Sequence, residues 1–379
     1  MRQETRKHAK IESNKLWRSL LLLVFLFTLM IIFSACAGAP AATEAPAAPE
    51  EPAVPEEPAA TEGPVEPDEG LPVQYGQDTR TEPYQHSDAK LKEMAASVAI
   101  FVHKNQVNIS GVSVTLDGYT LNEMSEMGWL VSGSQAPMCT DELFSAQMAP
   151  GFCTGFLVTE DILVTAGHCL VKTPCAETNI VFGFQMESAD SLATITEEDV
   201  FECAQVLAQV SPSQENQYLD YAIVKLDRPT GRAGLSYATG DQLKAQDNVA
   251  VLGYPSGLPQ KIASNAFVLS NDANSPFFLA NLDTFGSNSG SPVINMASYQ
   301  VEGILVRGTT DYVLSEDGSC VQVNRCPEGG DANCAGENAT KMGLLAERIS
   351  ESMAREPEGL NCFPGLLLVI VMIALARLK

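Results

Sequence analysis

The sequence predicts an all-β fold. Short apolar runs rich in β-branched residues recur along the chain: Val98–Val102, Phe156–Val158, Ile162–Thr165, Ile180–Phe184, Tyr221–Leu226, Val249–Leu252, Phe277–Leu279 and Val301–Val306. Turn residues bound them, and no regular alternation of strands with long helices intervenes. At 45% apolar residues the chain can bury a core, which excludes disorder of the whole. Such a pattern fits a barrel or a sandwich.

Two segments read as helices instead. Asp88–Ala96 spaces Leu91, Met94 and Ala95 along one face, and Lys341–Arg355 does the same with Leu344, Leu345, Ile349 and Met353. No internal sequence repeat is visible.

The flanks differ from this body. Residues 1–35 hold six basic and two acidic side chains, with Arg2, Arg6, Lys7, Lys10, Lys15 and Arg18 preceding the apolar run Leu20–Phe33. A basic start, an apolar run and small residues before a cleavage point make an export signal. Phe33-Ser34-Ala35-Cys36 resembles a bacterial lipobox, which implies lipid on Cys36 and membrane attachment. Residues 36–70 follow as a disordered Pro/Ala/Glu linker, with nine acids and no base over 37–70. The expected divisions are 1–35 signal peptide, 36–70 lipidated cysteine and linker, 71–355 folded domain and 356–379 apolar tail. In that tail Leu366–Ala376 would cover about 16 Å as a helix, short of a hydrocarbon core of about 30 Å. An interfacial helix, a trimmed sorting tail and a segment packed on the domain remain open.

Charge and cysteines narrow the function. The whole chain carries −24, and removing both flanks leaves −19 on the remainder. Phosphate binding needs a basic footprint, so nucleic acid is not an expected partner. Ten cysteines suit an oxidising compartment. Besides Cys36, nine remain, so one is left over. Cys175 and Cys203 flank one strand and form a candidate pair. Cys139 is expected to join one of Cys320, Cys326 and Cys334, and Cys362 is the candidate odd one. Without a CxxC spacing these cysteines read as bridge partners rather than zinc ligands. No metal and no cofactor is expected.

The chemistry sits in three segments: Val164-Thr165-Ala166-Gly167-His168-Cys169 after a strand, Asp220-Tyr221-Ala222-Ile223 opening one, and Gly286-Ser287-Asn288-Ser289-Gly290-Ser291-Pro292 in a tight turn. Acyl transfer by a serine hydroxyl needs a base, a carboxylate to orient the base, and N–H groups for the oxyanion. His, Asp and Ser supply those parts in that chain order.

These segments resemble the chymotrypsin-like (trypsin-type) serine proteases, nearest to the bacterial glutamyl-endopeptidase-like branch with its N-S-G-S-P. The resemblance covers roughly residues 90–355. It implies two six-stranded antiparallel β-barrels with a C-terminal helix, and an endopeptidase acting on proteins or peptides outside the cytoplasmic membrane. It assigns Ser289 as nucleophile, His168 as general base, Asp220 as its orienting carboxylate, and the N–H groups of Ser287 and Ser289 as oxyanion hole. It also implies a Cys153–Cys169 bridge pinning the histidine loop; closing about 15 residues is worth roughly 3 kcal/mol in the entropy model.

Three departures from the family pattern matter. Ser287 stands where glycine is usual. Asn288 stands where trypsin-type zymogens keep an aspartate, which argues against trypsin-style activation. Leu305 replaces the histidine of the glutamate-specific branch. The expected substrate pocket takes its walls from the residues just before Ser289, Asp283 and Thr284 among them, and from the strand Gly303–Gly308 with Arg307, an Asp283–Arg307 pair being one option. The rival reading is a protease-like binding domain without activity on a lipid tether. An esterase is disfavoured by the missing α/β alternation and G-x-S-x-G elbow.

Overall fold

The computed structural model describes residues 74–354 except 214 and 217. The expected signal, lipid site, linker and apolar tail, with Cys36 and Cys362, lie outside the described residues. Among the described residues no helix is long and apolar enough to cross a membrane.

The first barrel is a closed, six-stranded antiparallel sheet. Its strands are β1 (Val98–His103), β2 (Cys153–Leu157), β3 (Ile162–Thr165), β4 (Thr178–Phe182), β5 (Val200–Val210) and β6 (Tyr221–Leu226). Around the barrel they run β1-β2-β3-β6-β5-β4, and β4 closes on β1 with Ile180 opposite Phe101. β1, β2, β3 and β4 are buried almost throughout because both faces are covered, which is why they read as continuous apolar runs. β5 differs: its charged and amide residues alternate unevenly, two bulges interrupt its pairing with β6, and the apolar runs do not predict it.

The second barrel comprises β7 (Asn248–Gly253), β8 (Lys261–Ser270), β9 (Phe277–Ala280), β10 (Pro292–Asn295), β11 (Val301–Arg307) and β12 (Glu337–Lys341). It runs β7-β8-β9-β12-β11-β10 and closes by β10 on β7. This strand order is that of the first barrel, although no repeat is legible in the sequence. A short edge strand, Arg80–Thr81, joins the outside of β8. Helix α1 (Ala89–Ala95) is capped by the Asp88 carboxylate, which accepts from the N–H groups of Lys90 and Leu91, and it buries Leu91, Met94 and Ala95.

The helix expected over Lys341–Arg355 is shorter. Its first residue, Lys341, ends strand β12, whose two edges find partners in β9 and β11. Strand pairing thus claims the first residue of the expected helix. After the turn Met342–Leu344, Ala346–Ala354 forms the C-terminal helix and buries Ile349.

Disulfides join Cys139 to Cys320, Cys153 to Cys169, Cys175 to Cys203 and Cys326 to Cys334. Cys139–Cys320 spans 181 residues and links the long β1–β2 connection to the β11–β12 connection. Replacing both cysteines by alanine is expected to cost about 2–5 kcal/mol. Urea unfolding checks this; an unchanged midpoint would contradict a stabilising bridge.

Candidate active site

Residues after β3 and before β6 bring a histidine and a carboxylate together. Thr165 ends β3, and Ala166-Gly167 carry the chain into His168, which starts the single helical turn Cys169–Lys172. Gly167 has no room for a side chain: an added Cβ would meet the Val210 carbonyl oxygen at 2.0 Å. Its own carbonyl accepts from Gln209 Nε2 at 2.7 Å. These contacts set where His168 emerges.

Asp220 immediately precedes β6 and is 1% exposed. Its Oδ2 lies 2.7 Å from His168 Nδ1, and its Oδ1 accepts from the His168 backbone N–H at 3.1 Å. The two-point contact fixes ring and backbone together. With Nδ1 donating to the carboxylate, Nε2 is left as the basic nitrogen. The Asp220 carbonyl accepts from Thr340 Oγ1 on β12 at 3.0 Å, so the second barrel also holds this residue.

Ser289 lies in the turn before β10. Its carbonyl accepts from the Thr154 N–H of β2 at 2.8 Å. Thr154 follows Cys153, which is bridged to Cys169, the neighbour of His168. Gly290, at φ +93°, packs so closely that an added Cβ would meet the Thr154 carbonyl oxygen at 2.0 Å and Thr165 Oγ1 at 2.3 Å. The serine turn is thereby pressed onto the strand ends that deliver His168.

Ser287 takes φ +68°, the left-handed region that glycine enters freely. Its side chain offsets that cost with a hydrogen bond from Oγ to the Gly151 carbonyl at 3.1 Å, and its carbonyl accepts from Thr154 Oγ1 at 2.9 Å. Among the described residues, neither the Ser287 nor the Ser289 N–H has a protein acceptor. Asn288 is buried, its Oδ1 accepting from Ser291 Oγ at 3.4 Å.

The expected pocket residues divide differently. Asp283 does not pair with Arg307. Its Oδ1 accepts from the Tyr75 N–H at 2.7 Å and its Oδ2 from the Thr79 N–H and hydroxyl at 2.8 and 2.6 Å. Both oxygens are therefore spent on the N-terminal segment, and burial raises this carboxyl above its ordinary range. Arg307 sits over Tyr218 and Phe277 at 5.2 and 4.9 Å to the ring centroids, and donates to the Tyr218 carbonyl at 3.4 Å. Thr284 is buried and donates from Oγ1 to Glu337 Oε2 at 2.9 Å.

Glu337 is absent from the sequence-based candidates. It opens β12 fully buried, between Thr284 and Gly308, where a Cβ on Gly308 would meet its Oε2 at 1.9 Å. Its Oε1 and Asp311 Oδ1 are buried without a partner among the described residues. Asp311 Oδ2 accepts from the Gly286 N–H at 2.8 Å, at the base of the serine turn. No local motif announces Glu337; only an acid inside a segment that pairs on both edges could have flagged it.

Metal binding does not fit the site. Cys153, His168 and Cys169 bring ligand atoms within 4.8 Å of one another, but the two sulfurs are already joined.

Two antiparallel barrels and a half-buried histidine held by a buried carboxylate describe the site. Residues 153–304 match the family described as Trypsin-like peptidase domain. No curated protein matches the chain. Among solved structures it is similar to the VesB protease of Vibrio cholerae (12% identity, 73% of this chain and 68% of that one, TM-score 0.43). It is also similar to a Glu endopeptidase in complex with MPD (17%, 75% and 100%, TM-score 0.40) and to human heparin binding protein (12%, 76% and 99%, TM-score 0.45).

Burial drives the Glu337 carboxyl well above the ordinary 4.5, with Thr284 opposing it. A raised carboxyl contributes stability below the unfolded value and loses it as pH rises toward the folded one. Glu337→Gln is therefore expected to unfold at a higher temperature than the parent at pH 8, with the gap narrowing toward pH 4. A gap that widens on acidification would contradict this buried carboxyl with its unpartnered Oε1.

Proposed function

We propose that the chain is an exported serine endopeptidase, held by lipid on Cys36 at the outer face of the cytoplasmic membrane or cell envelope. The observation that carries this reading is the two-point contact of His168 with the buried Asp220, 2.7 Å at the ring, beside the Ser289 turn. The unclaimed N–H groups of Ser287 and Ser289 support it further.

In this reading Ser289 Oγ attacks the substrate carbonyl carbon while its proton passes to His168 Nε2. Asp220 accepts the Nδ1 hydrogen bond and stabilises the imidazolium. The carbonyl oxygen becomes an oxyanion and takes hydrogen bonds from the Ser287 and Ser289 N–H groups. The C–N bond then breaks, and His168 gives its proton to the leaving amine. Water next attacks the acyl ester, losing a proton to His168. The ester bond breaks, the acid departs and the proton returns to Ser289 Oγ.

A binding domain without activity is the rival, and Ser287 is its argument. Yet Ser287 adopts the left-handed conformation, and its Oγ bond to Gly151 compensates for the missing glycine. Substrate preference follows from which charges are spent. Asp283 is engaged by Tyr75 and Thr79, while Arg307 lies on Tyr218, two residues from Asp220. Arg307 is the charged member of that set left to meet substrate, which favours an acidic residue on the acyl side of the cut.

Ser289→Ala and His168→Ala are each expected to abolish cleavage in a peptide library with unchanged circular dichroism. Full activity in either contradicts the mechanism. In the same library Arg307→Ala should lower kcat/KM about tenfold for acidic peptides more than for neutral ones, a loss of about 1.4 kcal/mol. Asp283→Ser should lower the melting temperature without switching preference. Cys36→Ser should move the protein from the membrane to the soluble fraction or leave the signal uncleaved; an unmodified, soluble mature form of the parent would refute the lipid anchor.

A further inference from the structure

Neighbouring antiparallel strands need a connection of about two to five residues. β1 and β2 are such neighbours, with Phe101 opposite Cys153, yet residues 104–152 separate them. This connection has its own architecture. It contains the hairpin Val107–Ser110 with Ser113–Leu116, then helix α2 (Leu121–Glu126), whose capping box joins Thr120 and Glu123. Leu121 and Met138 bury themselves against Phe285 and Tyr312, and the Cys139–Cys320 bridge ties the connection down.

Not all of its apolar surface is buried. Tyr119 and Trp129 are 48% and 59% exposed, with ring centroids 5.2 Å apart and nearly perpendicular. They line a groove of about 770 Å³ together with Gly151, Phe152 and His103. The His103 and Phe152 rings form a second pair, 4.8 Å apart. A groove of this size lined by aromatic rings has the dimensions of a ligand site. Of the charged groups at the groove, Lys104 is engaged by Glu202 at 2.9 Å and Glu177 is exposed at its edge, and the aromatic rings supply its large apolar faces.

One end of the groove, at Gly151, contacts the serine turn. Gly151, which lines it, accepts the hydrogen bond from Ser287 Oγ at 3.1 Å. Phe152 adjoins Cys153, and the Cys153–Cys169 sulfurs lie within 4.8 Å of a His168 ring nitrogen. In the proposed peptidase reaction His168 delivers a proton to the leaving amine. The amine half of the substrate must therefore lie on the His168 side, where Cys153, Phe152 and Gly151 lead into the groove.

We infer that this groove binds the substrate residues that follow the scissile bond and selects an aromatic or large apolar side chain among them. The inference rests on the serine-peptidase reading and adds to it a specificity site built by the β1–β2 connection. Trp129 is its principal contact, because it is the most exposed ring of the set and a tryptophan face gives the largest apolar area per side chain.

The test uses the full chain and quenched peptides identical before the cut and varied in the first three positions after it. An aromatic residue there should raise kcat/KM over glycine. Trp129→Ala should lower kcat/KM for the aromatic peptides about tenfold and leave the glycine peptides within about twofold, and Trp129→Phe should restore most of the preference. The rate of labelling by a fluorophosphonate, which carries no residues after the reacting centre, should not change. Trp129 is exposed, so the variants are expected to fold. Normal labelling with a flat profile, or with a profile unmoved by Trp129→Ala, overturns the groove alone. A variant that only turns a dimer into a monomer in light scattering also overturns it, and marks the groove as a contact between copies. Absence of labelling in the parent chain defeats the peptidase reading and the groove with it.

Discussion

Thr154 holds the two barrels in the register that the candidate site requires. It is fully buried, and each of its polar groups crosses to another segment. Its N–H donates to the Ser289 carbonyl at 2.8 Å, and its hydroxyl donates to the Ser287 carbonyl at 2.9 Å. Its carbonyl accepts from Thr165 Oγ1 at 2.6 Å, three residues before His168. One residue on β2 thus joins the serine turn of the second barrel to the histidine strand of the first. Buried backbone groups left unpaired are costly, so the turn has little freedom to sit elsewhere. The same logic holds the third member in place, because the Asp220 carbonyl takes the Thr340 hydroxyl of β12.

The N-terminal segment braces the floor of the site from the other side. Tyr75 and Thr79 satisfy both Asp283 oxygens, and Arg80 is buried against the Phe285 ring at 4.1 Å while its guanidinium is held by Asp78. Asp283 and Phe285 belong to the run that leads into Ser289, so ordering residues 75–80 orders the approach to the turn. The contacts of Asp283 with the backbone N–H groups of Tyr75 and Thr79 hold that approach in place.

Much of the fold was legible because its strands are buried on both faces. β1, β3, β4, β6 and β11 are continuous apolar runs and announce themselves. β5 and β8 do not, since bulges and half-exposed polar residues break their period. The matching strand order of the barrels is a property of pairing, not of residue type, and left no repeat to read. His168, Asp220 and Ser289 were legible through their neighbours, because Gly167 and Gly290 are demanded by contacts as short as 2.0 Å for a Cβ. Asp283 was misread for the opposite reason: its partner Tyr75 is 208 residues away, and nothing local signals that the carboxylate is already occupied. Glu337 was invisible because an acid in a paired strand looks like a solvated one until its neighbours are known.

The central claim is that Ser289 is the nucleophile of this fold, and peptide mapping tests it most directly. The full chain would be treated with a fluorophosphonate, digested and read by mass spectrometry. The account predicts one adduct, on Ser289, that fails to form in His168→Ala. An adduct confined to another residue, or none on a folded parent chain, would contradict it.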